Sequence, residues 1–402
     1  MPNPNTPLLF GPEMLADPYP TYQKLRSTHP VMRVPALDAW VVTSYEAVNS
    51  SLRNPKLSSN RFPRLRQRLA SKGLDHLADD RVRSMIHMDP PDHTRLRGLV
   101  NKAFTPKTVE SMTVRIQNTV EELLDEVVNR GRMDIIEDLA YPLPVIVIAE
   151  LLGVPAQDRD RFKHWSDEFS VVLSGDVASL SESMLLRAAK AREELADYFK
   201  AVVRERRKNP GSDLLSGLTQ AEEAGGKLTE DELYSMVVLL LVAGNETTTN
   251  LIGNGLLALL RHPNEMRKVW DSPSLVPAAV EEMLRFDGPV QMTNRMATTD
   301  MEIQGTRIAT GDWLYLVLGA ANRDPAQFAD PDRFDLNRTD NKHIAFGAGA
   351  HFCLGAPLAR LEAQITIRAL RERFSDLRLG EERIEYRNNF NMRGLKSLPV
   401  AF

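Results

Sequence analysis

The 402-residue chain is predicted to fold as a mainly α protein with small β-sheets. The stretches 107–129, 135–152, 159–173, 183–207, 229–261 and 274–286 repeat apolar residues at three- and four-residue spacing, with charged residues on the opposite face. Strand signals are confined to 38–48 and 290–318, short runs rich in Val, Trp, Tyr and Ile, the second broken by turn chemistry at Gly305 and Gly311. No low-complexity linker and no repeat with a period of roughly 20 to 50 residues divides the chain, so one domain over 1–402 is expected.

Taken in order, residues 1–20 are proline-rich and lack a basic start followed by an apolar stretch, so neither a signal peptide nor a membrane anchor is expected there. The most informative helix is 229–261. Thr229 and Glu232 are spaced as a capping box, and His262-Pro263 marks the end. At 1.5 Å per residue it would be about 50 Å long. Between Val237 and Ala243 it is apolar on nearly all sides, which predicts a path through the core. Its longest apolar run, Met236 to Gly244, turns polar at Asn245, short of the roughly 18 residues a membrane span needs.

Composition excludes several functions. Fifty Lys and Arg against 54 Asp and Glu leave a net charge of -4, with no global basic field for nucleic acid or an anionic membrane. One cysteine, Cys353, cannot close an internal disulfide or build a multi-cysteine zinc site, which points to a reducing, cytoplasmic setting.

That cysteine lies in the run FGAGAHFCLGAPLAR, 346–360, a glycine-rich loop followed by a helical pattern in which Leu354, Leu358, Leu361 and Ile365 share a face. At a helix N-terminus, backbone N–H groups and the dipole favour thiolate, the form a metal ligand needs. Gly347 and Gly349 permit a tight loop, and Gly355 leaves room for a flat group. The run resembles the haem-binding signature of cytochromes P-450. The resemblance extends over nearly the whole chain, from Trp40-Val41-Val42 through Asp89-Pro90-Pro91-Asp92-His93 to Arg393-Gly394-Leu395.

The resemblance implies a single mainly α domain with haem b held between the long central helix and the cysteine-bearing helix. Cys353 would be the axial thiolate, with Phe346, Gly347, Leu354 and Gly355 forming its cradle. In the central helix, Ala243-Gly244-Asn245-Glu246-Thr247 resembles the family's oxygen-activation motif. There Ala243 and Gly244 would let the cofactor and dioxygen approach, while Glu246 and Thr247 would relay protons. His93, Arg97, Arg295 and His351 match positions that hold the propionates. Glu282-Met283-Leu284-Arg285 matches a structural lock completed by a second arginine, assigned to Arg333 after Pro331.

The implied reaction is monooxygenation of a medium-to-large apolar molecule of steroid, terpenoid, fatty acid or macrolide type. Substrate-contact segments fall at 61–85, 165–175, 240–247, 290–293 and 390–392, with Leu240, Ala243, Val290, Met292, Phe390 and Met392 as wall residues. Arg61, Arg64, Arg66 and Arg68 are either a solvated face or a greeting for a substrate carboxylate. Electrons would come from a ferredoxin or flavodoxin with its NAD(P)H reductase, docking near Arg97, Lys102, Lys342 and Arg360 on a monomeric enzyme. A peroxygenase, isomerase or phenol-coupling haem-thiolate enzyme and a non-catalytic haem sensor or carrier are the alternatives. Glu246 and Thr247 favour the monooxygenase, because only that reaction requires proton relay to dioxygen.

Overall fold

The computed structural model describes residues 11–77, 84–174, 180–211, 213–221 and 228–402. Parts of the expected substrate segments 61–85 and 165–175 therefore lie outside the described residues. A helix-rich body carries three small sheets. The largest has strand order β1-β2-β8-β5-β3, built from β1 (Val31–Val34), β2 (Ala39–Val42), β3 (Leu57–Ser58), β5 (Met292–Ala297) and β8 (Trp313–Val317). The second joins β4 (Arg132–Asp134), β10 (Pro399–Ala401) and β9 (Arg378–Leu379), and the third is the hairpin β6 (Met301–Ile303) to β7 (Thr306–Ile308).

The central helix runs Glu230–Arg261. It starts with the expected capping box, in which Thr229 Oγ1 accepts from Glu232 N at 3.1 Å and Glu232 Oε2 accepts from Thr229 N at 2.9 Å. By length and apolarity it could cross a bilayer, a property that counting its uninterrupted apolar run does not reveal; 67% of its most apolar window is buried inside the molecule. Around it pack the helices Pro142–Leu151, Arg159–Ser174, Glu182–Lys208, Val276–Asp287 and Ala356–Arg373. Leu241, Leu256, Leu257 and Leu259 are within 2% of full burial, each worth about 1.5–3 kcal/mol by transfer from water.

Three expected elements differ in detail. The stretch 107–129 is two helices, Pro106–Ser111 and Thr113–Asp125. The stretch 135–152 is a π-helical turn, Ile135–Ala140, followed by the α-helix Pro142–Leu151; Pro142 lacks an N–H and so begins a helix rather than continuing one. The strand expected at 38–48 stops at Val42, because Ser44 caps a new helix, Tyr45–Arg53, by accepting from Ala47 N.

Candidate active site

The cysteine loop is closed by its own backbone: Cys353 N donates to Phe346 O at 2.9 Å and Gly347 N to Ile344 O at 2.9 Å. Gly347 and Gly349 both have φ of 71°, and a Cβ on Gly349 would lie 2.8 Å from Leu52 O, so both the conformation and the space demand glycine there. The helix Ala356–Arg373 follows at once. Burial pushes the Cys353 thiol above its ordinary value. The N–H groups of Gly355 and Ala356 and the charges of Arg97 and Arg360 pull it back only in part. The helix terminus thus favours thiolate as expected but does not secure it alone, and a coordinated cation would complete the deprotonation. A Cβ on Gly355 would meet only the Cys353 sulfur, 4.0 Å away, so a flat group has room beside the thiol.

On the central helix, Leu240, Ala243 and Thr247 fall on one face by their three- and four-residue spacing. Ala243 is exposed in a mid-helix stretch whose neighbours are buried or half-buried, and Thr247 Oγ1 donates back to Ala243 O at 2.7 Å. Glu246 is buried, and burial pushes its carboxyl up to about 7 against the opposing pull of the Arg387 charge. A proton donor poised near neutrality is thus the sequence neighbour of an alcohol at an open helix face. Gly244 points elsewhere: a Cβ there would meet Ile148 Cδ1 at 3.0 Å, so its smallness serves the crossing with Pro142–Leu151. Asn245, to which the sequence assigned no role, donates from its amide to Ser166 Oγ at 2.6 Å and ties the central helix to Arg159–Ser174.

The expected propionate ligands converge in part. The His93 and His351 rings lie against each other with centroids 4.1 Å apart and planes tilted by 42°. Both ring nitrogens of buried His93 are without a hydrogen-bond partner. Burial lowers His93 and takes His351 down to about 3, with neighbouring cationic groups adding to each. Arg295 is buried on β5, and burial brings its guanidinium down to about 10. Arg97 is half-buried and donates to Asn101 Oδ1 at 3.2 Å. Among the described residues, neither Arg97 nor Arg295 has an ion pair with a carboxylate. The Asp89 carboxylate reaches His93, Arg295 and His351 electrostatically but forms no ion pair with them among the described residues, so a cleft with two arginines and orphaned His93 nitrogens fits a dianionic cofactor whose carboxylates would supply the missing partners.

Other expected roles are redistributed. Arg285 pairs with Glu282 in a bidentate contact at 2.7 and 2.8 Å, both nearly fully buried. Arg333 does not complete the lock, because its side chain is 62% exposed and only its carbonyl accepts from Arg285 Nη2, at 3.0 Å. The second arginine is Arg338, whose side chain is 9% exposed and whose Nε lies 3.4 Å from Glu282 Oε2. Coming straight after the Pro331-Asp332 turn, Arg333 points outward; five residues later the loop has folded back over Glu282, where Asp335 N and Asn341 also donate. Met292 packs with Met14, Tyr22 and Val317 in a core cluster joined by Phe390. Thr293 and Arg295 share the opposite face of β5, which explains why Met292 turns away from the cationic cleft. Val290 and Met392 are brought together by an isolated antiparallel bridge. Leu240 lies in the main core.

Arg61 and Arg64 in the 61–68 cluster are engaged by different partners. Arg61 donates to Thr293 Oγ1 at 2.8 Å, whereas Arg64 donates to Leu37 O at 2.7 Å and lies over Trp313. At the expected docking face Arg360 is held bidentate by Glu281 at 2.6 and 2.8 Å, Lys342 pairs with Asp340 at 3.0 Å, and Lys102 is exposed.

The cytochrome P450 family model matches residues 23–271 and 274–399. The chain is 40% identical to the polyketide biosynthesis cytochrome P450 PksS of Bacillus subtilis (strain 168), covering 97% of each chain. It is 42% identical to the cytochrome P450 monooxygenase PikC of Streptomyces venezuelae, over 98% of this chain and 93% of PikC. Among solved structures it is similar to P450BioI in complex with a hexadec-9Z-enoic acid-ligated acyl carrier protein, with 40% identity, a TM-score of 0.88 and coverage of 97% and 99%. A thiol in a glycine loop at a helix start, an acid and alcohol on a central helix and a match over almost the whole length agree: the chain belongs to the cytochrome P450 family, monooxygenases that bind haem b through a cysteine thiolate.

Proposed function

We propose that this enzyme inserts one oxygen atom into a medium-to-large apolar molecule of polyketide, macrolide, fatty acyl, terpenoid or steroid type. The relatives' names support this class: PksS is named for polyketide biosynthesis, and P450BioI was solved with a fatty-acyl carrier protein. Haem b, when bound, supplies the dioxygen activation. Cys353, the chain's one cysteine, holds the iron, and Phe346, Gly347, Leu354 and Gly355 shape the loop around it. His93, Arg97, Arg295 and His351 neutralise the propionates. Ala243 leaves space at the helix face, and Leu240, Val290 and Met392 supply apolar wall to the substrate.

The observation that carries the monooxygenase reading is the pair Glu246–Thr247, with the carboxyl near neutrality and the alcohol beside the exposed Ala243. Glu246 holds a proton at its carboxyl, and Thr247 Oγ1, on release from Ala243 O, presents a hydroxyl at the open helix face. A single cytoplasmic domain receiving electrons from a ferredoxin or flavodoxin and its NAD(P)H reductase completes the reading. With Arg360 occupied by Glu281, Lys102 and the rim of Arg97 carry the docking charge.

The test is the absorption spectrum of the reduced protein under carbon monoxide, recorded for wild type and Cys353→Ser. The wild-type Soret band is expected at the strongly red-shifted position of a thiolate ligand and the variant's at the ordinary one. An unshifted wild-type band refutes the assignment. Turnover with peroxide but not with a ferredoxin or flavodoxin system would establish the peroxygenase alternative instead.

A further inference from the structure

We propose that Arg61 is a fifth cationic anchor of the haem propionates, donating across the mouth of the cleft alongside Arg295. This rests on the haem reading of the same cleft and adds a residue from a different part of the fold. The cause is strand register. β3 pairs antiparallel with β5, Leu57 opposite Ala297 and Ser58 opposite Met296. Continuing that register past the end of the ladder brings residue 61 opposite residue 293. Arg61 Nη2 indeed donates to Thr293 Oγ1 at 2.8 Å, and Arg295 Nη1 lies 3.4 Å from the same hydroxyl. Two guanidinium groups thus converge on one neutral oxygen, an arrangement that costs electrostatic energy unless an anion lies between them.

Among the described residues, no carboxylate pairs with either guanidinium. Among the described residues Arg61 has no carboxylate at ion-pair distance, and its Nε is shielded from solvent without a hydrogen-bond partner. Asp89, whose charge reaches Arg295 and His351, is taken up by Ser58 Oγ and by Ser59 N, the latter at 2.8 Å. Asp89 O also accepts from His93 N at 3.0 Å, so this one residue ties the end of β3 to the helix that carries His93. The orphaned Nε of Arg61 and ring nitrogens of His93 belong to residues that, with Arg295, all reach His351 electrostatically, which puts them around one space. A carboxylate there would accept from Arg61 in a charge-assisted bond, and a planar fork serves that geometry better than an ammonium. The competing occupant is the carboxylate of a substrate acid, and the two make different demands on the substrate-free enzyme.

The experiment compares haem-loaded, substrate-free wild type with Arg61→Gln and Arg61→Lys. Two quantities are read: the rate of haem transfer to excess apomyoglobin, and the propionate bending bands in the low-frequency resonance Raman spectrum. Arg61→Gln is expected to lose haem roughly ten- to hundredfold faster, the factor corresponding to the 1.5–3 kcal/mol of a hydrogen bond to a charged group, and to shift a propionate band. Arg61→Lys keeps the charge without the fork and falls between; it carries the test alone if Arg61→Gln fails to retain haem. Arg64→Gln, altered at a guanidinium that donates to Leu37 O, should match wild type in both. Faster haem loss with unmoved propionate bands would make Arg61 merely structural and overturn the proposal. Unchanged haem transfer together with loss of the spin-state shift induced by a free fatty acid would overturn it in favour of the substrate carboxylate. A wild type lacking the red-shifted carbon monoxide band fails earlier, at the haem reading itself.

Discussion

Replacing Arg338 with alanine should destabilise this protein far more than the same change at Arg333, although the family resemblance points to Arg333. Arg338 Nη1 donates to Ala329 O at 2.7 Å, Nη2 reaches Asp330 O and Arg333 O at 3.2 and 3.4 Å, and Nε faces Glu282. Each such bond is worth about 0.5–1.5 kcal/mol net. Loss of the side chain therefore removes roughly 2–4 kcal/mol. The full 3–5 kcal/mol of a broken buried pair is not reached, since Glu282 keeps its bidentate bond to Arg285 and the donors Asp335 N and Asn341 Nδ2. Arg333→Ala keeps the carbonyl that Arg285 uses and removes an exposed side chain whose nearest acid, Asp335, is 3.9 Å away, so its cost should stay within about 0.5 kcal/mol. Urea unfolding followed by far-ultraviolet circular dichroism, with haem content per chain as a second readout, separates the two. If Arg333→Ala costs as much as Arg338→Ala, the reassignment of the lock is wrong.

Glu362 offers a pH test, because it is 1% exposed on the cysteine-bearing helix, its Oε2 has no hydrogen-bond partner, and burial pushes its carboxyl up to about 8. A raised carboxyl contributes stability that is complete below its unfolded value near 4.5 and is lost as pH rises through 8. Glu362→Gln should therefore gain on wild type by on the order of 3 kcal/mol between pH 5.5 and 8.5 in urea unfolding, and a difference that does not vary with pH would refute the buried-acid account. Thr247→Ala is expected to keep substrate binding but raise reductant consumed per product several-fold, measured as peroxide release; unaltered coupling would mean protons take another route. Gly349→Ala should cost about 1–3 kcal/mol and lower haem content, since the new methyl must approach Leu52 O at a positive φ. Wild-type haem content would show that the loop relaxes freely.

The elements most legible in the sequence were those whose signal is local. The capping box at Thr229 and Glu232, the apolar run that made the central helix a core element, and the glycine loop around Cys353 each depend on residues within a few positions of one another, and the structure reproduces all three. Boundaries were harder wherever a cap or proline competes with periodicity, as at Ser44 and Pro142. Met292 packs into the core rather than the cleft for another reason: β5 is six residues long, its faces alternate, and only the packed sheet decides which face meets the cleft.

By itself, then, the sequence determined that one thiol is available, that it sits in a glycine loop at a helix start, and that an acid and an alcohol stand together on a long buried helix. Tertiary structure decided which charges meet. Arg338 replaced Arg333 because a loop folds back by five residues, Arg360 was claimed by Glu281, and Arg61 met Thr293 across a distance of 232 residues because two strands pair in one register. Such pairings depend on directions in space, which chain connectivity sets only after the helices and sheets have packed.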